Sequence, residues 1–169
     1  MTNITIFGVG LIGGSLALCF KGKPGIRVVG HSTSESSTQK YMKRNVVDYA
    51  TTSMKEAAED ADFIFLCVPV SYIEQYLEKL NQFSLKPGCI ITDVGSTKSS
   101  IVQLAQTLFP QDVYFIGGHP MAGKESSGVE AATSLLFENA YYVLTPGSAV
   151  PQNQVDRLKE LLKLTRALR

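Results

Sequence analysis

The residue best suited to acid–base chemistry is His119, in the segment Gly117-Gly118-His119-Pro120-Met121-Ala122-Gly123. The segment directly follows a strand-like run and is rich in small residues, whereas a core histidine more often sits within an apolar periodicity. An imidazole at the rim of a sheet is able to accept or donate a proton near neutral pH. The chain has only 2 histidines, far apart in sequence, so no metal site is expected.

A second segment, Gly8-Val9-Gly10-Leu11-Ile12-Gly13, has the G-x-G-x-x-G spacing of a dinucleotide-binding loop. It follows the first strand-like run and opens the first helical run, which is the context that makes the motif informative. There Gly8 makes the tight turn, Gly10 lets a pyrophosphate approach the backbone, and Gly13 lets helix and strand pack closely. The helix N-terminus then attracts the phosphates. We therefore expect NAD or NADP as the cofactor.

The loop after the second strand, Gly30-His31-Ser32-Thr33-Ser34, should choose between these dinucleotides. A carboxylate here would bind the ribose of NAD and repel the 2′-phosphate of NADP, but none comes before Glu35. Imidazole and hydroxyl groups allow NADP, yet no arginine is present to clamp its phosphate. The choice stays open. His31, Ser32 and Thr33 are candidate cofactor contacts, with an exposed loop position as the alternative for His31.

Two further strand ends are expected to line the site, because doubly wound sheets bind ligands beyond the carboxyl ends of their strands. Cys67, Val68 and Pro69 lie where an apolar strand leaves the sheet and are candidate cofactor contacts, with the Cys67 thiol a small buried hydrophobe. The segment Asp93-Val94-Gly95-Ser96-Thr97-Lys98 forms another strand-to-helix corner. There Ser96 either caps the helix or faces a substrate.

The elements that must position these residues alternate between strand and helix along the chain. The predicted strands are 4–7, 26–30, 63–68, 89–92, 113–116 and 141–144. The predicted helices are 15–20, 39–44, 55–61, 72–83, 97–108, 129–136 and 151–169. This alternation predicts an α/β fold, a doubly wound, mostly parallel Rossmann-type sheet with helices on both faces. The continuously apolar run 63–68 is typical of a strand buried on both sides.

The composition excludes several classes of protein. The 169 residues suffice for one domain (1–169), and 16 basic against 15 acidic side chains give a net charge of +1. That balance predicts no nucleic-acid partner and no attraction to a membrane. No apolar run reaches membrane-spanning length, no basic residue precedes Lys21 as in a secretory signal, and the 3 cysteines lack C-x-x-C spacing. We expect a cytoplasmic protein that acts on a small molecule.

Taken together, the glycine loop at 8–13, the corner at 93–98 and the segment at 117–123 resemble the prephenate and arogenate dehydrogenase family. Many dehydrogenases share the glycine loop, whereas the other two motifs in this order and spacing are far more specific. The resemblance covers nearly the whole chain but only the family's N-terminal cofactor domain. It implies an NAD- or NADP-dependent oxidative decarboxylation of prephenate or arogenate in tyrosine biosynthesis, which turns prephenate into 4-hydroxyphenylpyruvate.

The resemblance also implies roles for three residues. His119 matches a catalytic histidine that hydrogen-bonds the ring hydroxyl of the substrate and helps to remove its proton. Ser96 matches a serine that supports this contact at the nicotinamide end. Glu125 falls where members can carry an acidic residue near the substrate, and otherwise it is an exposed loop residue. The family continues into a helical dimerisation domain, so we expect a truncated chain of a homodimer that binds dinucleotide but turns over substrate poorly by itself.

Other functions account for less of the sequence. A β-hydroxyacid dehydrogenase or a pyrroline-carboxylate reductase would share the glycine loop but not the Gly117-Gly118-His119-Pro120 segment. A dinucleotide-sensing module without catalysis would have no need of a proton acceptor such as His119 beside the nicotinamide. The sequence leaves open whether prephenate or arogenate is the substrate, since the discriminating contacts are expected beyond residue 169.

Overall fold

One sheet carries the predicted site residues His31, Cys67 and His119 at or next to the ends of its strands. A computed structural model describes residues 1–95, 99–109, 112–122 and 128–168. Its strands are β1 Thr2–Phe7, β2 Ile26–His31, β3 Tyr49–Thr51, β4 Phe63–Leu66, β5 Ile90–Asp93, β6 Tyr114–Pro120 and β7 Tyr142–Pro146. Within the described ranges these strands form a seven-stranded sheet in the order β3-β2-β1-β4-β5-β6-β7, and only β7 runs antiparallel to its neighbour. The predicted doubly wound, mostly parallel sheet is confirmed.

Helices cover both faces of the sheet because its central strands are apolar on both sides. They are α1 Leu11–Phe20, α2 Glu35–Lys43, α3 Met54–Glu59, α4 Ile73–Leu80, α5 Ser99–Leu108 and α6 Gln152–Leu162. Along β4, Phe63 and Phe65 pack into a core shared with α1 and α6, whereas Ile64 and Leu66 pack into one shared with α4 and α5. All four side chains are buried. Because successive side chains of a strand point to opposite faces of the sheet, β4 contributes to both cores, as its apolar run predicts.

Several predicted bounds differ from the structure. The short strand β3 escapes prediction because only one of its three residues, Thr51, is buried. The strand predicted at 63–68 ends at Leu66, and α2 begins at Glu35 rather than at 39, because the Ser34 side chain caps it by accepting from the Ser37 N–H. The helix predicted at 129–136 is confined to a 3-10 helix at Val129–Ala131.

The end of the chain returns to the sheet instead of remaining helical. The helix predicted at 151–169 ends as α6 at Leu162 and continues as a 3-10 turn to Thr165. Arg166 takes a left-handed conformation with φ of 61°, which stops a right-handed helix. Leu168 then forms a parallel bridge to Tyr141. No helix in the described part of the chain has the length and apolarity to cross a membrane.

The carboxyl ends of the parallel strands meet along one edge of the sheet. Gly8 follows β1, Cys67 follows β4, and Asp93 ends β5, while β6 runs on past them to Pro120. The chain places β2 on one side of β1 and β4 on the other, so the winding reverses between β1 and β4. A crevice at such a reversal is the usual ligand site of a doubly wound sheet.

Candidate functional site

The glycine loop after β1 is held in a space that admits no side chains at two of its positions. Gly8 has φ of +87°, and a Cβ on it would lie 2.8 Å from the Cys67 carbonyl oxygen. A Cβ on Gly13 would overlap the Gly8 carbonyl oxygen and lie 2.9 Å from Cγ2 of Ile6. The tight turn and the close helix–strand packing predicted for these two glycines are therefore present.

Gly10 is different, because the space beside it is open. A Cβ at Gly10 would meet nothing within 4 Å. Gly10 also precedes α1 without giving it a side-chain cap, so amides of the first turn are available to an outside acceptor. Val9 is buried, and Leu11 and Ile12 are half-buried, which leaves main-chain groups as the polar contribution of this loop. These groups fit the pyrophosphate of a dinucleotide, although contacts of single residues stay predictions.

A cleft of about 350 Å³ opens beside the glycine loop at the β1–β4 reversal. Its lining includes the predicted cofactor contacts Gly8, Val9, Gly10, Cys67, Val68 and Pro69. Lys40 of α2 and Glu130 of the 3-10 helix also line it, and Lys40 Nζ lies 2.7 Å from Glu130 Oε1. Both side chains are about half-exposed, so this ion pair contributes little to folding stability. The fold therefore brings the glycine loop and the predicted contact segment 67–69 together in one crevice.

His31 is neither an exposed loop residue nor a lining group of this cleft. It is the last residue of β2, and its ring is buried, with its centroid 4.9 Å from that of Phe7. Its Nε2 lies 3.1 Å from the Thr52 carbonyl oxygen, to which a protonated Nε2 donates. Burial lowers the pKa of His31, and this outweighs the opposite effect of the Thr52 carbonyl. A cofactor contact through the His31 ring is therefore not what the structure shows.

The neighbours of His31 remain accessible. Ser32 is half-buried, its Oγ accepts from the Ser34 N–H at 3.1 Å, and Thr33 is exposed. The two hydroxyls follow β2, where the fold brings the chain back to the same edge as Gly8. Their roles as cofactor contacts stay predictions, and the absence of a carboxylate leaves both NAD and NADP possible.

Cys67 lines the cleft and lies close to two buried polar residues, Asp93 and Tyr142. Burial raises the pKa of its thiol, and the negative charge of Asp93 raises it further, so the thiol stays protonated. Tyr142 of β7 is buried as well, and its hydroxyl has no hydrogen-bond partner among the described residues. Burial is the main cause that raises the pKa of Tyr142, followed by Cys67 and Asp93. An unreactive Cys67, as the sequence predicts, fits these surroundings.

Asp93 links the ends of β5 and β6. Its side chain is fully buried, and its two carboxylate oxygens accept from different amides, the Gly95 N–H at 3.2 Å and the Gly118 N–H at 3.1 Å. The regular pairing of β5 with β6 ends one residue earlier, at Thr92 and Ile116. The carboxylate therefore extends the connection between the strands to the residue next to His119.

His119 itself stands where β6 pairs with β7 at the edge of the site. It lies opposite Val143 and is half-buried, and its Nδ1 is buried without a hydrogen-bond partner in the described part of the chain. Contacts lead from the glycine loop toward it. Gly8 packs against Cys67, Cys67 lies within the electrostatic reach of Asp93, and Asp93 holds Gly118. The glycine loop and the histidine thus share one edge of the sheet.

Two predicted site residues, Ser96 and Glu125, lie outside the described residues. Asp93, in contrast, is described and lies at the site, but the sequence patterns gave it no role. They pointed instead to the hydroxyl of Ser96, which follows it. The signal for Asp93 is a carboxylate that ends an apolar strand, because a charge in that position must find partners when it is buried. Which amides it meets depends on the pairing of β5 with β6.

A family model described as "Prephenate dehydrogenase, nucleotide-binding domain" matches residues 16–168 of the chain. The chain is 47% identical over 165 residues to a prephenate dehydrogenase from Lactococcus lactis, an alignment that covers 96% of this chain and 44% of that protein. The chain therefore spans less than half the length of this curated relative.

Two solved structures are similar over almost the whole chain. The arogenate dehydrogenase of Synechocystis matches with a TM-score of 0.90 and 37% identity, covering 99% of this chain and 58% of that one. The prephenate dehydrogenase of Aquifex aeolicus, in complex with hydroxyphenyl propionate and NAD+, matches with a TM-score of 0.88 and 28% identity, with the same coverages of 99% and 58%.

Proposed function

The chain belongs to the prephenate dehydrogenase family, and on that premise we propose that it forms the cofactor half of an enzyme that oxidises and decarboxylates prephenate or arogenate. Prephenate would lose a hydride and CO2 to become 4-hydroxyphenylpyruvate, and arogenate would become tyrosine in the same way. NAD or NADP would receive the hydride at its nicotinamide. Both substrates are proposed because the Lactococcus lactis relative is named for prephenate and the Synechocystis structure for arogenate.

The glycine loop supports the binding half of this proposal. Main-chain amides at the start of α1 would hold the pyrophosphate, and the open space beside Gly10 would admit it. Cys67, Val68 and Pro69 would bound the crevice on the β4 side, with the thiol protonated and unreactive. Ser32 and Thr33 would contact the adenosine ribose or its 2′-phosphate.

His119 would carry the acid–base half. Its imidazole would accept the proton of the substrate's ring hydroxyl, which pushes electrons toward the developing carbonyl as the hydride leaves. Loss of CO2 then returns electrons to the ring, and the proton goes back to the phenol oxygen. Ser96 would support the contact between His119 and the substrate, and Glu125 would bind near the substrate. These roles extend the family resemblance to single residues.

The observation that carries the proposal is the common edge of the glycine loop and His119. β1 and β6 are separated by only β4 and β5, so their carboxyl ends lie roughly 14 Å apart at ordinary strand spacing. A ligand extended along this edge would have one end on the loop and its other end beside the imidazole. Positioning of this kind is the main contribution that a dinucleotide domain makes to hydride transfer.

The test is turnover by the full-length protein with each substrate and each dinucleotide, followed by the absorbance of the reduced nicotinamide. We expect reduction of NAD or NADP with prephenate or arogenate, and the His119→Asn variant should lose roughly 100-fold or more in kcat. Titration of that variant with dinucleotide serves as the control and should give the affinity of the unchanged protein. Full turnover by His119→Asn would remove the imidazole from the mechanism.

The assembly follows the same premise. We propose a homodimer formed through a region other than this domain, and a cytoplasmic location. Sedimentation of the full-length protein measures the first directly, and a monomer at catalytic concentration would contradict it.

A further inference from the structure

The Asp93 side chain makes hydrogen bonds that the pairing of β5 in the sheet does not account for. A carboxylate that is fully buried loses its hydration, and this cost must be offset by hydrogen bonds. Asp93 meets the demand with two main-chain amides that belong to different segments, Gly95 and Gly118. Each of these glycines immediately precedes a residue of the proposed mechanism, Ser96 in one case and His119 in the other.

We propose that Asp93 is a positioning residue. Its carboxylate fixes the backbone at Gly95 and at Gly118 at the same time. The inference rests on the proposed function, since it assigns a task within that reaction. Asp93 touches neither substrate nor cofactor in this assignment and acts through the main-chain amides of Gly95 and Gly118. An amide held by a charged acceptor is held more tightly than one held by a neutral carbonyl.

The close packing of β5 against β6 is consistent with this arrangement. A Cβ on Gly118 would lie 2.8 Å from the Asp93 carbonyl oxygen and 3.0 Å from Oγ1 of Thr92, so β5 and β6 are pressed together here. The ladder between them has already ended at Thr92 and Ile116. The Asp93 side chain takes over the role of the ladder for one further residue, and His119 follows directly.

The two donors also explain why the residue is an acid. Two N–H groups converge on the side chain, one on Oδ2 and one on Oδ1. Asparagine has nearly the same shape, but it offers one acceptor and one NH2 group, so one backbone N–H would face a donor. An Asp93→Asn variant therefore releases one of the two segments while it preserves the volume of the side chain.

The experiment is a double-mutant cycle between Asp93→Asn and His119→Asn in the full-length protein. We expect Asp93→Asn to lower kcat by roughly 10- to 100-fold through misplacement of the imidazole, with the dinucleotide Kd changed less than about threefold. In the background of His119→Asn, the same change should cost little further, because the group that Asp93 positions is gone. A merely structural role would multiply the two losses instead.

The matched control is Thr5→Val, which removes another fully buried side-chain hydrogen bond in the same sheet. Thr5 Oγ1 donates to the Ala57 carbonyl at 2.6 Å, and β4 separates its strand β1 from β5 and β6. This variant should lower Tm, yet its kcat should stay within about twofold of the parent. A loss of kcat in Thr5→Val equal to that in Asp93→Asn would show that destabilisation alone explains both and would overturn the positioning role.

A second variant keeps the test decisive if Asp93→Asn does not fold. A Cβ on Gly95 would lie 3.1 Å from Oδ2 of Asp93, so Gly95→Ala pushes the carboxylate without removing it. It should lower kcat in the same direction by a smaller factor, and that loss too should vanish in the His119→Asn background. Losses that multiply with His119→Asn while the parent turns over would overturn the positioning role alone. Absence of turnover in the parent would overturn the proposed function and this role with it.

Discussion

The two ends of the candidate site are built by opposite means. At the β1 end, the site exists because side chains are missing, since a Cβ at Gly8 or Gly13 would strike backbone atoms and one at Gly10 would fill open space. At the β5–β6 end, the site exists because a charged side chain is present, and Asp93 holds the backbone beside His119. In the proposed function, the pyrophosphate is bound by exposed main-chain amides, whereas the proton acceptor His119 is held by a fixed backbone beside it.

This difference decides what a substitution does at each end. A side chain added to the glycine loop either breaks the packing or blocks a ligand, and the two outcomes are separable by position. At the β5–β6 end, a change in hydrogen bonding leaves the volume intact and alters placement.

The largest effect should come from Gly13→Val. The new side chain would overlap the Gly8 carbonyl oxygen and press on Ile6, both of which lie in the packed junction of β1 and α1. We expect the free energy of unfolding to fall by about 3 kcal/mol or more. Denaturant unfolding measures this directly. A variant as stable as its parent would contradict the close packing assigned to this junction.

Gly10→Val should weaken dinucleotide binding with little effect on the stability of the fold. No atom lies within 4 Å of its added Cβ, so the new side chain meets no packed neighbour. We expect Tm to change by only a few degrees while dinucleotide affinity falls about 100-fold, because the side chain fills the approach to the backbone. Isothermal titration supplies the measurement. Undiminished affinity would refute the assignment of the loop to pyrophosphate.

Ser32→Asp should sharpen the choice of dinucleotide with a smaller effect. The Ser32 Oγ already accepts from the Ser34 N–H, and a carboxylate in its place is able to keep that bond. The added charge would accept from the ribose hydroxyls of NAD and repel the 2′-phosphate of NADP, so we expect the affinity ratio to move roughly tenfold toward NAD. Ser36→Asp, on the exposed first turn of α2, is the matched control for charge alone. Equal shifts in both variants would contradict a direct contact at Ser32.

The smallest effect should be a pH dependence of stability due to His31. Burial lowers the pKa of the folded His31 below its ordinary value of 6.5, so between the two values the unfolded chain binds more protons than the folded one. Stability therefore declines as pH falls through about 6.5. His31→Gln should be less stable at neutral pH, yet it should lose less Tm than the parent on acidification. Parallel curves for the two proteins would show that His31 does not contribute to the slope.

The sequence predicts the two ends of the site unequally, and the reason is physical. The glycine loop is a local motif, so its turn, its open position and its place before α1 follow from neighbouring residues. The bond from Asp93 to Gly118 joins residues 25 positions apart and exists only because β5 and β6 are adjacent. The burial of His31 could not be predicted for the same reason, since its ring contacts Phe7 and the Thr52 carbonyl, which come from another strand and a loop.

The elements show the same division. The apolar run of β4 and the helical periodicity of α4 and α6 are strong local signals, and all three elements are present. The strand β3 is visible only through its pairing with β2, because its own residues are mostly not buried. The turn at Arg166 that ends the last helical stretch follows from its return to Tyr141 rather than from a glycine in the sequence.

The central claim is that one dinucleotide reaches from the glycine loop to the imidazole of His119. The direct measurement is an NMR titration that follows the Gly10 amide and the His119 ring signals, once with the complete dinucleotide and once with adenosine diphosphate alone. We expect the dinucleotide to shift both sets of signals with a single Kd, and adenosine diphosphate to shift only the Gly10 signal. Saturation of Gly10 by the complete dinucleotide with the His119 signals unmoved would contradict the central claim.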